Sequence, residues 1–575
     1  MQKPKEDPNT LLKRKHDMRS LVKNTNVSCL ILAVLLSITP LILFYAGGRY
    51  VSGGDGVYFY YWVKDFFNSL EQGIFYPRWA YDTFGGLGGP VFTYYAPLYF
   101  YVSSLFSYLT GDYFSGMQIA DIFGSLLLGI SGFFISSKLQ LKNSHTLLFV
   151  VLLTLNPFQL ATLLYVQGHP WNFTYAFILL LLFTLSYLEY GPQKIIIIVF
   201  LTSCIFFTHL LTGVMVILCL AISAIFLFIG KVISSKTLFF DAAGVILGVA
   251  LAAIYWLPAI GYMNLMNQDG YSNDVKWDLG FTFPIFHDTR WALFQYIIAG
   301  GILSSIIFSA AMLRHVSLSK RKCFLVLLAI AAVSFLMSTE FMYFLWDRFS
   351  FFRKFQYAYR FFCVSSISSI VLLFIVLNDL SKVKIFIAAK LCLAIISFNI
   401  LLGGVILLKC YFIDAKNDVD AFNKNLAIHG QRAFYTRDAK SLAMISSEGL
   451  LDEVICMGHS VICKAKHNGR VYRWDVESSS RSQVLLPVYS FPAWTVTVDG
   501  ANKDIVTDYA TGLISIELKS GTHIIKLQWG GSLYYTIGTV ISIITVLIIC
   551  VFYLFFTLRR RHMVRLTSTT TFTRN

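Results

Sequence analysis

The chain has 575 residues, of which 56% are hydrophobic and 14% are charged, and its formal net charge at pH 7 is +16. This composition, with a mean hydropathy of +0.64, excludes an ordinary soluble domain and predicts a polytopic membrane protein. The positive charge does not indicate nucleic-acid binding, because most basic residues fall in short runs at the ends of apolar segments, as in positive-inside loops.

Residues 1–25 are too polar and too charged for a cleavable signal peptide, so they predict a cytoplasmic tail before a first span at 26–46. Further apolar runs of spanning length follow. They lie at 93–110, 117–136, 145–163, 173–189, 194–207, 211–229, 238–257, 291–313, 323–338, 361–378, 384–408 and 533–557. We expect a transmembrane domain over 26–408, a cytoplasmic tail at 558–575, and about 12 or 14 spans in all.

Short basic linkers between these runs are predicted to face the cytoplasm, so the first loop, 47–92, is predicted to face outward. One conflict remains in this topology. Counting both 93–110 and 117–136 as spans places the basic linker 137–144 outside. Either one of the runs between 93 and 163 does not cross the membrane fully, or the weak charge bias of the linker is misleading.

The segment 409–532 is less hydrophobic, and from about residue 470 it has the pattern of β-strands. Apolar and polar residues alternate in Leu513–Leu518 and Ile524–Trp529, and Asp499–Gly500 is typical of a hairpin turn. We expect a small extracytoplasmic β-sandwich before the last helix. The sequence does not choose between a sandwich that binds an acceptor glycan and one that braces the rest of the chain.

Ten cysteines are scattered along the chain, most of them in apolar runs where a small buried hydrophobic residue is expected. Cys456 and Cys463 differ, because they lie close together in a polar region that is predicted to face outward. A disulfide between them stays open on the sequence alone.

Asp55 lies in the sequence GGDG at 53–56, directly after the first predicted span. A lone carboxylate at the membrane–water boundary is costly, and such a residue is by default a functional-site candidate. Aspartate is also a preferred N-cap residue, so Asp55 could instead begin the amphipathic helix that follows. We favour a catalytic role, in which Asp55 is the general base for an acceptor hydroxyl.

The other candidate residues lie beside aromatic residues in segments that are predicted to face outward. They are Arg78 and Trp79 in the first loop, His169 and Asn172 in YVQGHPWN, His209 in FFTHLLTG, and Gln356, Tyr359 and Arg360 in KFQYAYRFF. Cationic side chains bind phosphate, aromatic and amide side chains bind a sugar ring, and an apolar surface accepts a polyprenyl tail. The pattern predicts a site for a polyprenyl-phosphate sugar at the outer leaflet.

Several of these residues have a structural alternative. Arg360 could extend to the interface or pair with Asp347. Arg78 and Trp79 could be an interfacial anchor. His209 could be a hydrogen-bonded structural histidine.

The motifs also resemble, in their order, those of one family. The GGDG aspartate is followed by PRW, a glycine-rich turn, YYAPLYFY, FFTHLLT, YWLPA, KFQYAYRFF and the late β-segment. The chain is similar from about residue 27 to 557 to the bacterial YfhO-type membrane proteins, also named 6-pyruvoyl-tetrahydropterin-synthase-related, although no pterin chemistry is implied. That group belongs to the GT-C glycosyltransferase superfamily.

The resemblance implies a GT-C fold and an inverting membrane glycosyltransferase. It would transfer one hexose, such as glucose, from undecaprenyl phosphate to O-antigen lipopolysaccharide or teichoic acid, on the outer face of the bacterial inner membrane. A separate flippase and a donor synthase would supply the lipid-linked sugar, and O-antigen glucosylation of this kind causes serotype conversion. The first-loop carboxylate of the family falls on Asp55, and its phosphate-binding arginine falls on Arg360, with Arg78 or His169 as helpers.

The chain departs from the family where an arginine and a glutamate usually stand, at Gln167 and Asn172, which removes a charge pair. His169 is the candidate that compensates. A divalent metal stays open, although His287 and Asp288 have no ligand-spacing motif to support a site. The alternative function is a transporter or flippase for a lipid-linked sugar, but the sequence has no clear internal repeat to favour alternating access.

Overall fold

The computed structural model describes residues 26–46, 50–51, 55–188, 191–265, 289–383, 385–416, 461–468, 471–508 and 511–572. His287, Asp288 and the pair Cys456–Cys463 were singled out in the sequence, and the question of a metal or a disulfide there lies outside the described residues. Within them the chain is mostly helical, with a β-region near the C-terminal end.

The helices are α1 (Val27–Tyr45), α2 (Gly56–Glu71), α3 (Val91–Tyr94), α4 (Leu98–Thr110), α5 (Tyr113–Lys138), α6 (Asn143–Thr154), α7 (Pro157–Leu160), α8 (Pro170–Tyr187), α9 (Pro192–Thr208), α10 (Leu210–Ile229), α11 (Ser235–Leu251), α12 (Ala253–Gly261), α13 (Thr289–Ala311), α14 (Leu318–Met337), α15 (Tyr343–Arg348), α16 (Ser350–Arg353), α17 (Phe362–Val383), α18 (Phe386–Lys409) and α19 (Leu533–Phe572). Shorter 3₁₀ turns lie at Thr83–Gly86, Met263–Leu265, Leu313–His315, Glu340–Met342 and Ala358–Phe361. A π-helical turn follows α7 at Ala161–Tyr165, and another follows α18 at Cys410–Asp414.

Eight helical segments of the described chain are long and apolar enough to cross a membrane, and two bent helix pairs raise the number to ten. Two further predicted spans form α9, with 17 residues, and α13, with 23, so the expected total of 12 or 14 stays a prediction. The predicted run 93–110 differs, because it forms α3 and α4, and α4 has only 13 residues. A 13-residue helix is about 20 Å long, whereas the hydrocarbon core is about 30 Å thick.

The short helix α4 also removes the topological conflict around 137–144. It ends at Gly111, whose φ of +72° reverses the chain, and Asp112 caps α5 by accepting a hydrogen bond from the Ser115 amide at 2.7 Å. If α4 does not cross, α5 is the second crossing, and the linker 137–144 lies on the same side as the start of α1. This agrees with the positive-inside rule for that linker.

Helix α5 lies at the centre of the N-terminal bundle and packs against α1, α4, α6 and α8. Small residues permit the close approach of these helices. A Cβ at Gly129 would lie 2.3 Å from the Ser37 hydroxyl of α1, and one at Gly124 would lie 2.8 Å from the Asn172 amide of α8. The bundle therefore holds the segment between α7 and α8, residues 161–169, against the first loop.

The strands are β1 (Tyr50–Val51), β2 (Ala415–Lys416), β3 (Val461–Asn468), β4 (Val471–Ser478), β5 (Ser482–Tyr489), β6 (Trp494–Val498), β7 (Ala501–Lys503), β8 (Val506–Thr507), β9 (Leu513–Leu518) and β10 (Gly521–Trp529). Strands β3–β10 form two antiparallel sheets, with the orders β3-β4-β10-β6-β7 and β5-β9-β8. The alternation predicted for Ile524–Trp529 is observed in β10, where Ile525 and Leu527 are buried and Lys526 and Gln528 are exposed. The alternation predicted for Leu513–Leu518 is not observed, because the first four residues of β9 are all buried. The predicted hairpin turn joins β6 to β7, with positive φ at both Asp499 and Gly500, as a type I′ turn requires.

This β-region packs against the first loop through a cluster of aromatic rings. The Trp79 indole is 1% exposed and its ring centroid lies 5.2 Å from that of Trp494, 5.4 Å from that of Trp529 and 6.0 Å from that of Phe491. The Tyr489 amide also donates a hydrogen bond to the Leu87 carbonyl at 3.2 Å. In the structure the sandwich therefore braces the first loop.

The first loop also has its own polar core. The Asp65 carboxylate of α2 is buried and accepts hydrogen bonds from the Tyr81 and Asp82 amides, both at 3.0 Å. These bonds fold the chain after α2 back onto the helix and direct Trp79 toward the β-region. Asp65 thus connects the helix that begins at Asp55 to the contact with the sandwich.

Candidate functional site

Asp55 immediately precedes α2, at the position where a helix-capping side chain would stand. Its carboxylate makes no capping hydrogen bond, so the alternative role of an N-cap is not used in this structure. The Asp55 backbone is fixed instead from another part of the chain, because its amide donates to the Val166 carbonyl at 2.9 Å. The carboxylate is thereby left available to other groups.

The protein around Asp55 raises the pKa of its carboxylate. The side chain is accessible from outside, yet the protein around it desolvates the carboxylate enough to raise its pKa to about 6. The charges of Arg360 and His169 act in the opposite direction and lower it. Such a carboxylate is still mostly ionised at neutral pH, and its basicity is close to what general-base catalysis needs.

His169 is held by a second carboxylate that lies inside the bundle. Its Nδ1 lies 2.9 Å from Oδ2 of Asp121, and its ring stacks on Tyr99 with centroids 5.5 Å apart. Its Nε2 is buried and has no hydrogen-bond partner among the described residues. The carboxylate accepts from Nδ1 and so fixes the orientation of the ring, which leaves Nε2 as the nitrogen that can bond another group.

Asp121 is the residue of this site that the sequence reasoning missed. It is 1% exposed in the middle of α5 and also accepts hydrogen bonds from the Tyr45 and Tyr99 hydroxyls, at 2.8 and 3.3 Å. The signal was present, since Asp121 is the sole charged residue of the apolar run 117–136. A carboxylate inside a span is costly, and such a residue usually has a functional role.

A small cavity of about 40 Å³ lies next to this pair, and its lining includes Asp121, His169, Gln167 and Gly56. Its walls are mostly apolar, but the volume and the polar atoms of Asp121, His169 and Gln167 suit an ordered water molecule. Gln167 lies with φ of +58° directly over Gly56, where a Cβ would overlap its side-chain oxygen. Gly56 therefore provides the space that lets the turn after α7 approach Asp55.

Arg360 reaches the site from the 3₁₀ turn before α17. Its Nη1 donates to the Phe355 carbonyl at 3.1 Å, and its guanidinium lies 5.3 Å from the ring centroid of Tyr357. Its Nε is buried and has no hydrogen-bond partner among the described residues. Asp347, the alternative partner, pairs instead with Arg353 at 3.1 Å. The guanidinium can therefore still donate to an anion.

Trp171 connects the remaining aromatic and histidine candidates. Its ring centroid lies 6.4 Å from that of Tyr359 and 5.2 Å from that of His209. His209 Nδ1 also lies 2.9 Å from the Thr212 hydroxyl and accepts from the Thr212 amide at 3.2 Å, so this histidine caps α10. Gln356, with φ of +66°, forms the turn that precedes Tyr359.

Asn172 is buried in the bundle and has a packing role in this structure. It accepts from the Gln159 amide at 2.8 Å and donates to the Asp121 carbonyl at 2.9 Å and to the Ser125 hydroxyl at 3.1 Å. These bonds tie α8 to α5 and so support His169.

The structure thus brings together Asp55, His169 and Arg360, with Tyr359 and His209 beside them, and it adds Asp121. Arg78 and Trp79 lie elsewhere, against α12, α19 and the β-region. Within the described ranges, no group of three or more His, Cys, Asp or Glu side chains could hold a metal ion. We therefore derive no catalytic step from a metal.

The Asp121–His169 pair permits a direct test. We expect Asp121→Asn to lower activity roughly 10- to 100-fold, the size of effect that orienting partners of a functional histidine have at metal sites. Asparagine keeps the shape and can still bond both tyrosines, but it no longer imposes one tautomer on His169. Activity of the purified variant, compared with its thermal unfolding, checks this. An inactive variant that has also lost its fold would instead show a purely structural role.

The solved structures that are similar to the chain include two glycosyl-transferring proteins, each with a TM-score below 0.5. The arabinofuranosyltransferase AftD from Mycobacteria has a TM-score of 0.46 and 12% identity, over 69% of this chain and 28% of that one. The oligosaccharyltransferase of Archaeoglobus fulgidus, in its apo form, has a TM-score of 0.44 and 14% identity, over 68% of this chain and 56% of that one. The chain spans less than two thirds of either protein, and likenesses this weak carry no argument about its fold or activity.

No curated protein matches the sequence. A family described as a 6-pyruvoyl-tetrahydropterin synthase related domain, membrane protein, matches residues 92–411. This range is more than half of the 575 residues, and it contains Asp121, His169 and Arg360. The resemblance seen in the sequence motifs is therefore confirmed: the chain belongs to the 6-pyruvoyl-tetrahydropterin-synthase-related family of membrane proteins.

Proposed function

We propose that the protein is a GT-C glycosyltransferase that transfers a single sugar from a polyprenyl-phosphate donor to a glycan acceptor. The observation that carries the proposal is the pairing of charges at the site. Asp55 is an accessible carboxylate with a pKa of about 6, and it lies within electrostatic range of Arg360. A base beside an available guanidinium is the arrangement that glycosyl transfer from a phosphate leaving group needs.

In the proposed reaction, Asp55 accepts the proton of an acceptor hydroxyl while the oxygen attacks the anomeric carbon. The bond from this carbon to the phosphate oxygen breaks, and polyprenyl phosphate departs with the electron pair. Arg360 stabilises the negative charge that develops on the phosphate. Because the attack is a single displacement, the configuration of the sugar inverts.

The binding groups around Asp55 fit a sugar and a lipid tail. Tyr357 is partly exposed and offers an aromatic face of the kind that sugars stack on, with the buried rings of Tyr359 and Trp171 next to it. The apolar surfaces of the neighbouring helices suit a polyprenyl chain. We propose a hexose, such as glucose, carried by undecaprenyl phosphate, and an acceptor such as O-antigen lipopolysaccharide or teichoic acid.

We further propose that the site faces the outside of the bacterial inner membrane. The positive-inside pattern of the linkers supports this orientation. A donor made in the cytoplasm would then have to be flipped before use, so the enzyme would depend on a donor synthase and a flippase.

The experiment that tests the proposal uses the purified full-length protein in liposomes with radiolabelled polyprenyl-phosphate glucose and a lipid-linked glycan acceptor. A glycosyltransferase converts the label to product that resists mild acid, the treatment that cleaves the glycosyl phosphate. If the label only moves between leaflets, the protein is a flippase and the proposal is wrong.

The acidity of Asp55 gives a pH prediction. The base acts only when ionised, so kcat/KM should rise with pH through about 6 and level off above it. Arg360 lowers this pKa, so Arg360→Gln should move the rising limb to higher pH, in addition to lowering the rate. The control is Arg353→Gln, which removes an exposed arginine of the same segment and should leave the limb in place. An unchanged limb in Arg360→Gln would contradict the assignment of Asp55.

A further inference from the structure

A second cationic site lies apart from Asp55, where the first loop meets the last helix. Arg78 is only partly exposed, and its Nη2 donates to the Ile254 carbonyl of α12 at 2.7 Å. The guanidinium lies between two rings, 3.8 Å from the centroid of Tyr76 and 4.8 Å from that of Tyr535. The first loop, α12 and α19 thus meet at one arginine.

This arginine lacks the partner that a desolvated charge normally has. None of the ion pairs formed by the described residues includes Arg78. Its Nη1 is buried and has no hydrogen-bond partner within those residues. A desolvated guanidinium is costly unless it is paired, and two aromatic rings recover only part of that cost. A bound anion would supply the partner that the Arg78 guanidinium lacks.

A second free donor lies in the same cluster. The phenol groups of Tyr101, Tyr255 and Tyr535 all interact electrostatically with both Arg78 and Tyr76. The first two donate to the Phe75 and Tyr94 carbonyls, and Tyr535 shares a hydrogen bond with Thr93. The Tyr76 hydroxyl differs from them, because it is buried and has no partner among the described residues.

The position of the cluster indicates which anion fits. Tyr535 lies in the first turn of the apolar span Leu533–Phe556, so Arg78 lies near the membrane–water boundary, where lipid phosphates are found. Arginine matches the geometry of phosphate oxygens, and a phenol adds a neutral donor. The groups that act on Asp55 are Arg360 and His169, so the two sites are distinct.

We propose that Arg78 Nη1 and the Tyr76 hydroxyl bind a phosphate group at the boundary of the membrane, at a site separate from the one around Asp55. The bound phosphate would join the first loop to α12 and α19. The proposal goes beyond the proposed glycosyl transfer and does not depend on it.

The test uses the full-length protein, delipidated in a maltoside detergent, with binding measured by native mass spectrometry. Phosphatidylglycerol and inorganic phosphate are the two probes, and diacylglycerol is the lipid without phosphate. We expect wild type to bind phosphatidylglycerol and not diacylglycerol. Arg78→Gln should abolish the binding, and Tyr76→Phe should weaken it about tenfold, as expected for one hydrogen bond to a charged group.

Tyr76→Phe is the decisive variant, because it removes one oxygen that has no partner among the described residues and keeps the ring under Arg78. A merely structural arginine predicts no change in lipid binding for this variant, and that result would overturn the proposal. Binding of inorganic phosphate alone, lost in the same variants, would keep the site and assign it to a soluble phosphate.

Arg360→Gln separates this proposal from the proposed function. It should keep phosphatidylglycerol binding and lose the binding of undecaprenyl phosphate. If Arg360→Gln loses the polyprenyl lipid while both Arg78→Gln and Tyr76→Phe bind phosphatidylglycerol like wild type, the second site is wrong and the donor site stands. The opposite pattern would overturn the donor site alone.

Discussion

Asp55→Asn should abolish measurable sugar transfer, with a fall in kcat of about 10²- to 10⁴-fold, the contribution of a general base. Asparagine has the size of aspartate but cannot accept the proton of the acceptor hydroxyl. The Asp55 carboxylate makes no capping hydrogen bond, and the bond from its amide to the Val166 carbonyl does not involve the side chain. The substitution should therefore leave α2, its docking and donor binding intact.

The measurement is transfer of radiolabelled sugar by wild type and variant, with donor binding and thermal unfolding measured on the same preparations. Asp82→Asn is the matched control, because it neutralises an exposed carboxylate of the same loop and should transfer sugar at the wild-type rate. An Asp55→Asn variant within about threefold of wild type would show that the reaction uses no base at this position.

Trp79→Ala should release the β-region from the first loop. Replacement of a fully buried tryptophan by alanine typically costs about 3–5 kcal/mol, and Trp79 contacts three aromatic rings of the sandwich. Gly88 packs so closely against the indole that a Cβ there would lie 2.1 Å from its Nε1, and this neighbour has no side chain that could fill the cavity. We expect faster proteolysis between β-strands and a lower unfolding temperature.

Phe75→Ala is the control for this effect. Phe75 belongs to the same loop but its side chain is 81% exposed, so its removal should change neither proteolysis nor unfolding. Equal behaviour of the two variants would show that the aromatic cluster does not hold the sandwich in place. Trp79→Ala should also reduce sugar transfer, because Asp65 and α2 connect this contact to Asp55.

The sequence predicted the elements well, since each of the apolar runs forms helices and the segment from about residue 470 forms the strands β4–β10. It took the run 93–110 for a span because hydropathy does not show where a helix breaks within a run. Residues 93–110 are apolar throughout, but Pro97 begins α4 only after the break at Tyr95. The helix that remains is too short to cross.

The candidate site was predicted in part. Asp55, His169 and Arg360 were all singled out, and they meet because α2, the turn after the π-helix and the turn before α17 converge. Arg78 and Trp79 were assigned to the same site because they share a loop with Asp55. The hydrogen bonds to Asp65 fold that loop, so that Asp55 lies near Arg360 and His169 whereas Trp79 packs on the sandwich. No sequence pattern predicts that one loop contributes to two separate contacts.

Asp121 was missed for a different reason. The motifs were sought in segments between the apolar runs, whereas Asp121 lies inside one, where its partners Tyr45, Tyr99 and His169 come from three other elements. The single charge in the run was the available signal. Its partners could not be predicted, because hydrogen bonds between helices depend on their rotation and height, which hydropathy does not give.

The contact between Trp79 and the sandwich has a consequence for biogenesis. Trp529 follows Trp79 by roughly 450 residues, so at common synthesis rates the loop waits roughly 20–90 s for its partner to emerge. Until then the Trp79 indole has no strands to pack on. Helix α2 is then supported at its start, where the Asp55 amide bonds to the Val166 carbonyl, but not by the sandwich. A chain whose synthesis stops before the β-region would contain most of its helices. Asp55 and α2 would then lack the support that the sandwich gives through Trp79. Completion of the C-terminal strands therefore acts as the last step in maturation of a site that begins at residue 55.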